Sequence, residues 1–347
     1  MTGLPLVSVP RNRPRLWLAL LSAGLAAACV ASLLFGAGST GPGASLRGLL
    51  AWIAGLDAGP DDARARFVVE SLRAPRTLIG VLVGAALGAA GALLQAVTRN
   101  PLAEPGLLGV SAGSALAVAI AIALGASAAT LRVPVAQLGA LAGCVAVLAA
   151  SRVRGVGDDP IRLVLAGAVL SGLLGSLTSM ILLFDERTAD EIRFWVVGSL
   201  AGRRPADIMA LLPGLGVALA IVVVIARPLA ALALGERVAT GLGHRPRTVR
   251  LLVIVAVALL VGSATAIAGP IAFVGLVAPF AARLLAGPDI RRTLWLSLPI
   301  GALLTVGADI ASRLLVRPSE LPLGVLTALV GAPVLVAVVR LRRLPGL

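Results

Sequence analysis

Asp309 and Arg313 stand four residues apart in a stretch that is otherwise almost wholly apolar. At that spacing on a helix the two side chains share a face and can pair. Asp309 is the sole carboxylate inside any of the chain's long apolar blocks, and it lies near the end of its block. A proton relay through a membrane needs a titratable group nearer the centre of a span, and the sequence offers none there. His244 is the only histidine and falls in a polar stretch, while Cys29 and Cys144 each sit inside an apolar block. So few and so scattered, they make neither a disulfide framework nor a metal site. Ser, His and Asp do not occur at spacings that suggest a triad, so the reading is a chain without catalytic residues, bound metal or cofactor. Lysine is absent altogether: the basic residues are all arginines. A phosphate-binding Walker loop needs a lysine beside its glycines, so any ATP-driven work requires the nucleotide site of another chain.

The elements that must position these few polar groups are read from the apolar pattern. Hydrophobic residues make up 59% of the 347-residue chain and charged ones 13%, against roughly 45–50% and about 25% in globular proteins. The excess falls into separate blocks, and a helix needs about 20 mostly apolar residues to cross a bilayer. Ten blocks qualify: 16–36, 75–97, 107–125, 133–151, 161–184, 208–226, 249–268, 270–286, 294–316 and 321–340. Strict alternation is missing, so the expectation is an all-α polytopic membrane protein with about ten transmembrane helices. With both termini cytoplasmic, the inner segments hold 18 arginines against 5 acids and the outer segments 12 against 11. Basic residues retained on the cytoplasmic side are the usual bias, so the net charge of +14 reads as a topology signal and not as affinity for nucleic acid. The arginines at 11–15 and the run Leu25–Cys29 faintly resemble a leader, but 16–36 is long enough to be the first span.

Residues 1–347 therefore read as a single transmembrane permease domain, with outer loops 37–74 and 185–207 and a cytoplasmic region 227–248. Small residues at Gly80, Gly84 and Gly88 and at Gly167, Ser171 and Gly175 predict close helix contacts. Two stretches break the helical pattern, Arg99–Gly106 with Pro101 and Pro105, and Gly269–Pro279 with Pro270 and Pro279. Irregular backbone at that depth is tolerated where protein covers it or where it lines a wet cavity. Between Pro228 and Gly241 the inner region has helical propensity and an apolar side formed by Leu229, Leu232 and Val238. Gly241 and Gly243 then interrupt it, leaving a surface suited to a protein partner or to the inner leaflet.

The chain resembles the permease subunits of ABC importers for cobalamin, haem and ferric siderophores from about Leu72 to Arg343. The resemblance rests on Leu72-Arg73-Ala74-Pro75-Arg76, Gln95, and Arg99-Asn100-Pro101-Leu102-Ala103-Glu104-Pro105-Gly106-Leu107-Leu108-Gly109-Val110. Further matches are Leu165-Ala166-Gly167, Phe194-Trp195-Val196-Val197-Gly198-Ser199-Leu200, Leu232-Ala233-Leu234-Gly235 and Gly269 to Pro279, which includes Gly275. Ala308-Asp309 with Arg313, Glu320-Leu321-Pro322-Leu323-Gly324 and Gly331-Ala332-Pro333 complete the series.

What the resemblance implies is a type II ABC importer permease fold in a bacterial cytoplasmic membrane. Two permease chains, identical or related, would flank the path, with two ATPase subunits holding ATP and magnesium below and a soluble or lipid-anchored binding protein above. It puts binding-protein docking on Arg73, Arg76 and Arg313. It puts ATPase coupling on Leu234, Gly235, Glu236, Arg237, Thr240, Gly241, Leu242 and Gly243, and a cytoplasmic gate on Asp159, Pro160 and Ile161, which are not the small hydroxyl residues of the cobalamin relative. Phe280 also departs from the family, which usually has histidine there. The Arg193-Phe194-Trp195 stretch with Gly198-Ser199-Leu200 is closer to siderophore permeases, making a ferric siderophore the expected cargo, with haem or cobalamin as alternatives. A stand-alone secondary transporter, an intramembrane enzyme and a membrane scaffold are the rival classes; the first lacks a midplane carboxylate and the second polar catalytic groups at depth.

Overall fold

The computed structural model describes residues 14–55, 60–126, 128–151 and 160–340, which are helical with no strand among them. In chain order the α-helices are α1 (Pro14–Leu34), α2 (Pro42–Ala54), α3 (Pro60–Phe67), α4 (Ala74–Thr98), α5 (Val110–Ala123), α6 (Ala128–Ser151) and α7 (Pro160–Phe184). They continue with α8 (Glu186–Val196), α9 (Pro205–Ala233), α10 (Glu236–Gly241), α11 (Pro246–Ala268), α12 (Val274–Ala286), α13 (Ile290–Leu315) and α14 (Leu323–Arg340). A π-helical turn, Val68–Arg73, leads into α4, and a 3-10 turn, Pro105–Leu108, precedes α5. Proline in the first turn of α2, α4, α9 and α11 starts a helix at no loss, because its missing N–H would have no intrahelical partner there. Asp185 and Asp289 cap α8 and α13 by accepting from backbone N–H groups of the first turn.

Ten of these helices fall where spans were expected. Seven are long and apolar enough to cross a membrane, and α5, α12 and residues 323–336 of α14 are apolar but shorter. Two of the short ones follow the predicted breaks, where non-helical backbone covers part of the crossing. The second break is narrower than its sequence motif: Gly269 adopts φ 72°, helix resumes at Val274, and Pro279 lies inside α12. The expected span over 270–286 therefore begins four residues later.

Helix α4 is the axis of the bundle. It packs against α13 where Gly84 faces Gly301 and Gly88 faces the backbone of Ser297, and against α12 where Gly91 meets Gly275. A side chain at any of these glycines would collide with backbone, so the helices approach at van der Waals contact. The α5–α6 pair closes in the same way through Gly109, Gly113, Gly139 and Gly143. In α7 the expected seam of Gly167, Ser171 and Gly175 is packed only in part, the Ser171 hydroxyl oxygen being buried. Gly167 is buried, but Gly172 and Gly175 have no atom packed against them, and Leu165, Leu173 and Leu183 are exposed beside them.

The inner region differs from the expected amphipathic helix over 228–241. Pro228 sits inside α9, which runs on to Ala233 and buries Leu229 and Leu232 in the core. A proline is accommodated in a long apolar helix when neighbouring groups satisfy the freed carbonyl. Only Glu236–Gly241 forms a separate helix, after a turn at Gly235 with φ 133°.

Candidate functional site

Polar side chains gather at the two ends of the bundle. At one end, α1 finishes beside the start of α4 and the end of α13. The last carbonyls of a helix have no intrahelical donors, and here two arginines supply them. Arg73 Nη1 donates to the carbonyls of Leu33 and Leu34 at 2.9 Å and to Ser45 Oγ at 2.7 Å. Arg313 donates to the carbonyls of Ser32 and Phe35 at 3.1 Å and to Ser32 Oγ at 2.6 Å. Gly36 lies beside this clamp, where a Cβ would stand 2.6 Å from the Arg73 guanidinium.

Arg76 holds the rest of the cluster. Its Nη2 lies 2.7 Å from Asp309 Oδ1, and its Nη1 donates to both carboxylate oxygens of Glu320 at 2.8 and 3.0 Å. Asp309 Oδ2 accepts in turn from Arg313 Nη2 at 2.7 Å. Two cations and two anions thus bridge α4, α13 and the segment before α14, with Asp309 and Arg313 each only 2% exposed. The pairing of Asp309 with Arg313 is the one the spacing predicted. The arginines assigned to docking, however, are turned inward: Arg73 is 5% exposed and the Arg76 side chain 11%. Glu320, at 30%, presents the open edge of the cluster. Ser32 and Ser45 could not have been picked from the sequence, because nothing near them marks a partner 28 or more residues away.

At the opposite end, α10 stands on the junction of α9 and α11. Glu236 pairs with Arg250 of α11, and Thr240 Oγ1 donates to the Glu236 carbonyl at 2.8 Å. Leu234 and Leu242 flank this short helix at 76% and 62% exposed, and Arg237, Gly241 and Gly243 are exposed as well. Of the predicted gate, Asp159 lies outside the described residues, and Pro160 and Ile161 open α7.

Between the ends, the distant motifs meet. Ser199 N–H donates to Ala268 O at 2.8 Å, Gly324 N–H to Gly198 O at 3.4 Å, and Trp195 Nε1 to Ala266 O at 3.1 Å. Gly269 lies against the Trp195 carbonyl and Pro270 against Gly198 and Gly324, the residue that follows Pro322 and Leu323. Asn100 Oδ1 accepts from Leu102 N–H at 2.9 Å and fixes the turn at Pro101. The Glu104 carboxylate accepts from Phe273 N–H at 2.6 Å. Phe280 lines a shallow apolar pocket with Pro101, Leu102 and Leu335. Arg283, near the end of α12, is 2% exposed and leaves Nε and Nη2 without a hydrogen-bond partner.

The FecCD transport family model matches residues 24–341. The ferric enterobactin transport system permease protein FepD of Escherichia coli is 44% identical over 274 residues, covering 79% of this chain and 82% of FepD. The iron(3+)-hydroxamate import system permease protein FhuB of Bacillus subtilis is 42% identical, over 77% of this chain and 69% of FhuB. Among solved structures, a metal-chelate type ABC transporter in an inward-facing conformation superposes with a TM-score of 0.78 at 29% identity, covering 94% of this chain and 99% of the other.

Proposed function

The chain belongs to the FecCD transport family, and from that premise we propose that it carries ferric-siderophore complexes across a bacterial cytoplasmic membrane, driven by ATPase subunits and fed by a binding protein. It is a multi-pass permease of an ABC importer. The observation that carries the cargo is the identity of its relatives, 44% to an enterobactin permease and 42% to a hydroxamate permease. Both names denote ferric chelates.

The two polar ends suit two different partners. Exposed Leu234 and Leu242 around α10 offer apolar side chains on the charged side of the bundle, the kind of protrusion that fits a cleft on an ATPase. Residues 234–243 are the coupling contact in this reading. At the other end, Arg76 and Glu320 form the rim that meets the binding protein, while Arg73 and Arg313 support that surface from beneath by holding α1. The exposed leucines of α7 beside Gly172 and Gly175 favour a second permease chain on that face. ATP-driven movement at α10 then shifts the pair between outward and inward openings, a population shift set by differential binding.

Uptake of radioiron-labelled chelates by cells lacking this gene, with and without a plasmid copy, tests the cargo. Restored uptake of ferric catecholate or hydroxamate complexes supports it. Restored uptake of haem or cobalamin alone replaces the siderophore with that substrate.

A further inference from the structure

Among the described residues, only Arg99 (φ 49°) and Phe273 (φ 69°) are non-glycine residues in the left-handed region. Such conformations persist only where surrounding contacts over-determine them, and they concentrate at working parts of proteins. These two are joined by one short segment. Arg99 ends α4, and its Nη2 donates at 2.7 Å to the carbonyl of Leu232, in the last turn of α9 just before the chain turns into α10. Five residues on, Glu104 accepts from the N–H of Phe273 at 2.6 Å.

The segment between these contacts is stiff. Asn100 N–H donates to Gln95 O at 3.2 Å, Ala103 N–H to Asn100 O at 3.1 Å, and Gln95 Nε2 to Ala103 O at 3.2 Å. Beyond it, Pro105 lies against Gly275 at the start of α12, and the Phe273 side chain occupies the space over Gly331 of α14. A displacement of the α9–α10 junction therefore has a hydrogen-bonded route to the non-helical stretch 269–273, and packing contacts onward to α12 and α14.

We propose that residues 99–105 form a strut that passes movement from the ATPase-facing helix α10 to the broken segment before α12, with Arg99 and Glu104 as its two fastenings. Both are positioning residues. The inference rests on the ABC-permease reading above and adds to it a specific mechanical link within this chain.

The test uses the complete transporter in liposomes, with ATP hydrolysis and ferric-chelate uptake measured on the same preparation. In Glu104→Ala and Arg99→Ala, ATPase activity stays within about twofold of wild type while uptake falls roughly tenfold, as expected for loss of coupling and not of assembly. Glu104→Gln restores uptake, because its amide oxygen still accepts from Phe273 N–H. Glu104→Asp, which also folds without losing the carboxylate, withdraws the acceptor by one methylene and uncouples partly. Uptake and hydrolysis falling in proportion in all variants, or wild-type uptake in Glu104→Ala, overturns the strut. A wild-type complex that hydrolyses ATP without importing anything overturns the parent reading instead.

Discussion

Asp309 sits between two arginines with 2% of its surface exposed, so its removal leaves two buried cations facing each other. Breaking a buried ion pair from one side costs about 3–5 kcal/mol. Asp309→Ala is therefore expected to unfold at much lower temperature in detergent than wild type, and more easily than Glu320→Ala, whose carboxylate is partly solvated. Arg73→Met tests a different debt: it strands the Leu33 and Leu34 carbonyls at the end of α1. The expected loss is about 2–3 kcal/mol, the scale of a few buried unsatisfied groups, read as a lower melting midpoint with faster proteolysis of 14–45. Arginines marked by a motif were legible in the sequence; the direction in which they point was not. An outer-surface position and a carbonyl-capping position have the same local pattern, and only the placement of α1 distinguishes them.

At the level of helices, the α4–α13 contact carries the bundle through Gly84 and Gly88. Gly88→Leu forces the pair apart, and overpacking of this kind costs about 1–3 kcal/mol. Gly175→Leu in α7 meets open space in this chain, so single-chain stability is expected to stay level while the permease pair dissociates in detergent, measured by the mass of the micellar complex. Equal destabilisation by both changes would contradict that division. All ten apolar blocks are helical in the structure, seven of them long enough to cross a membrane and three shorter, because length and apolar composition decide such helices. The end of α9 is not legible in the sequence because Pro228 reads as a breaker, whereas burial of Leu229 and Leu232 carries the helix past it.

Across the whole molecule, the chain is a closely packed bundle with a buried ionic clamp at one end and a protruding, partly apolar helix at the other. Its glycine contacts hold α4, α12 and α13 together, while α7 exposes leucines beside Gly172 and Gly175. Lysine is absent from the sequence, and with it the residue a Walker loop needs. In the function proposed above, the permease is a gate driven through α10 by companion subunits. The direct measurement is accumulation of a ferric chelate in liposomes holding this chain alone, compared with liposomes holding it together with the ATPase subunit captured from its source membranes, both supplied with binding protein and ATP. Uphill accumulation only with the ATPase present is the predicted result; accumulation by the chain alone, driven by an ion gradient, would contradict it.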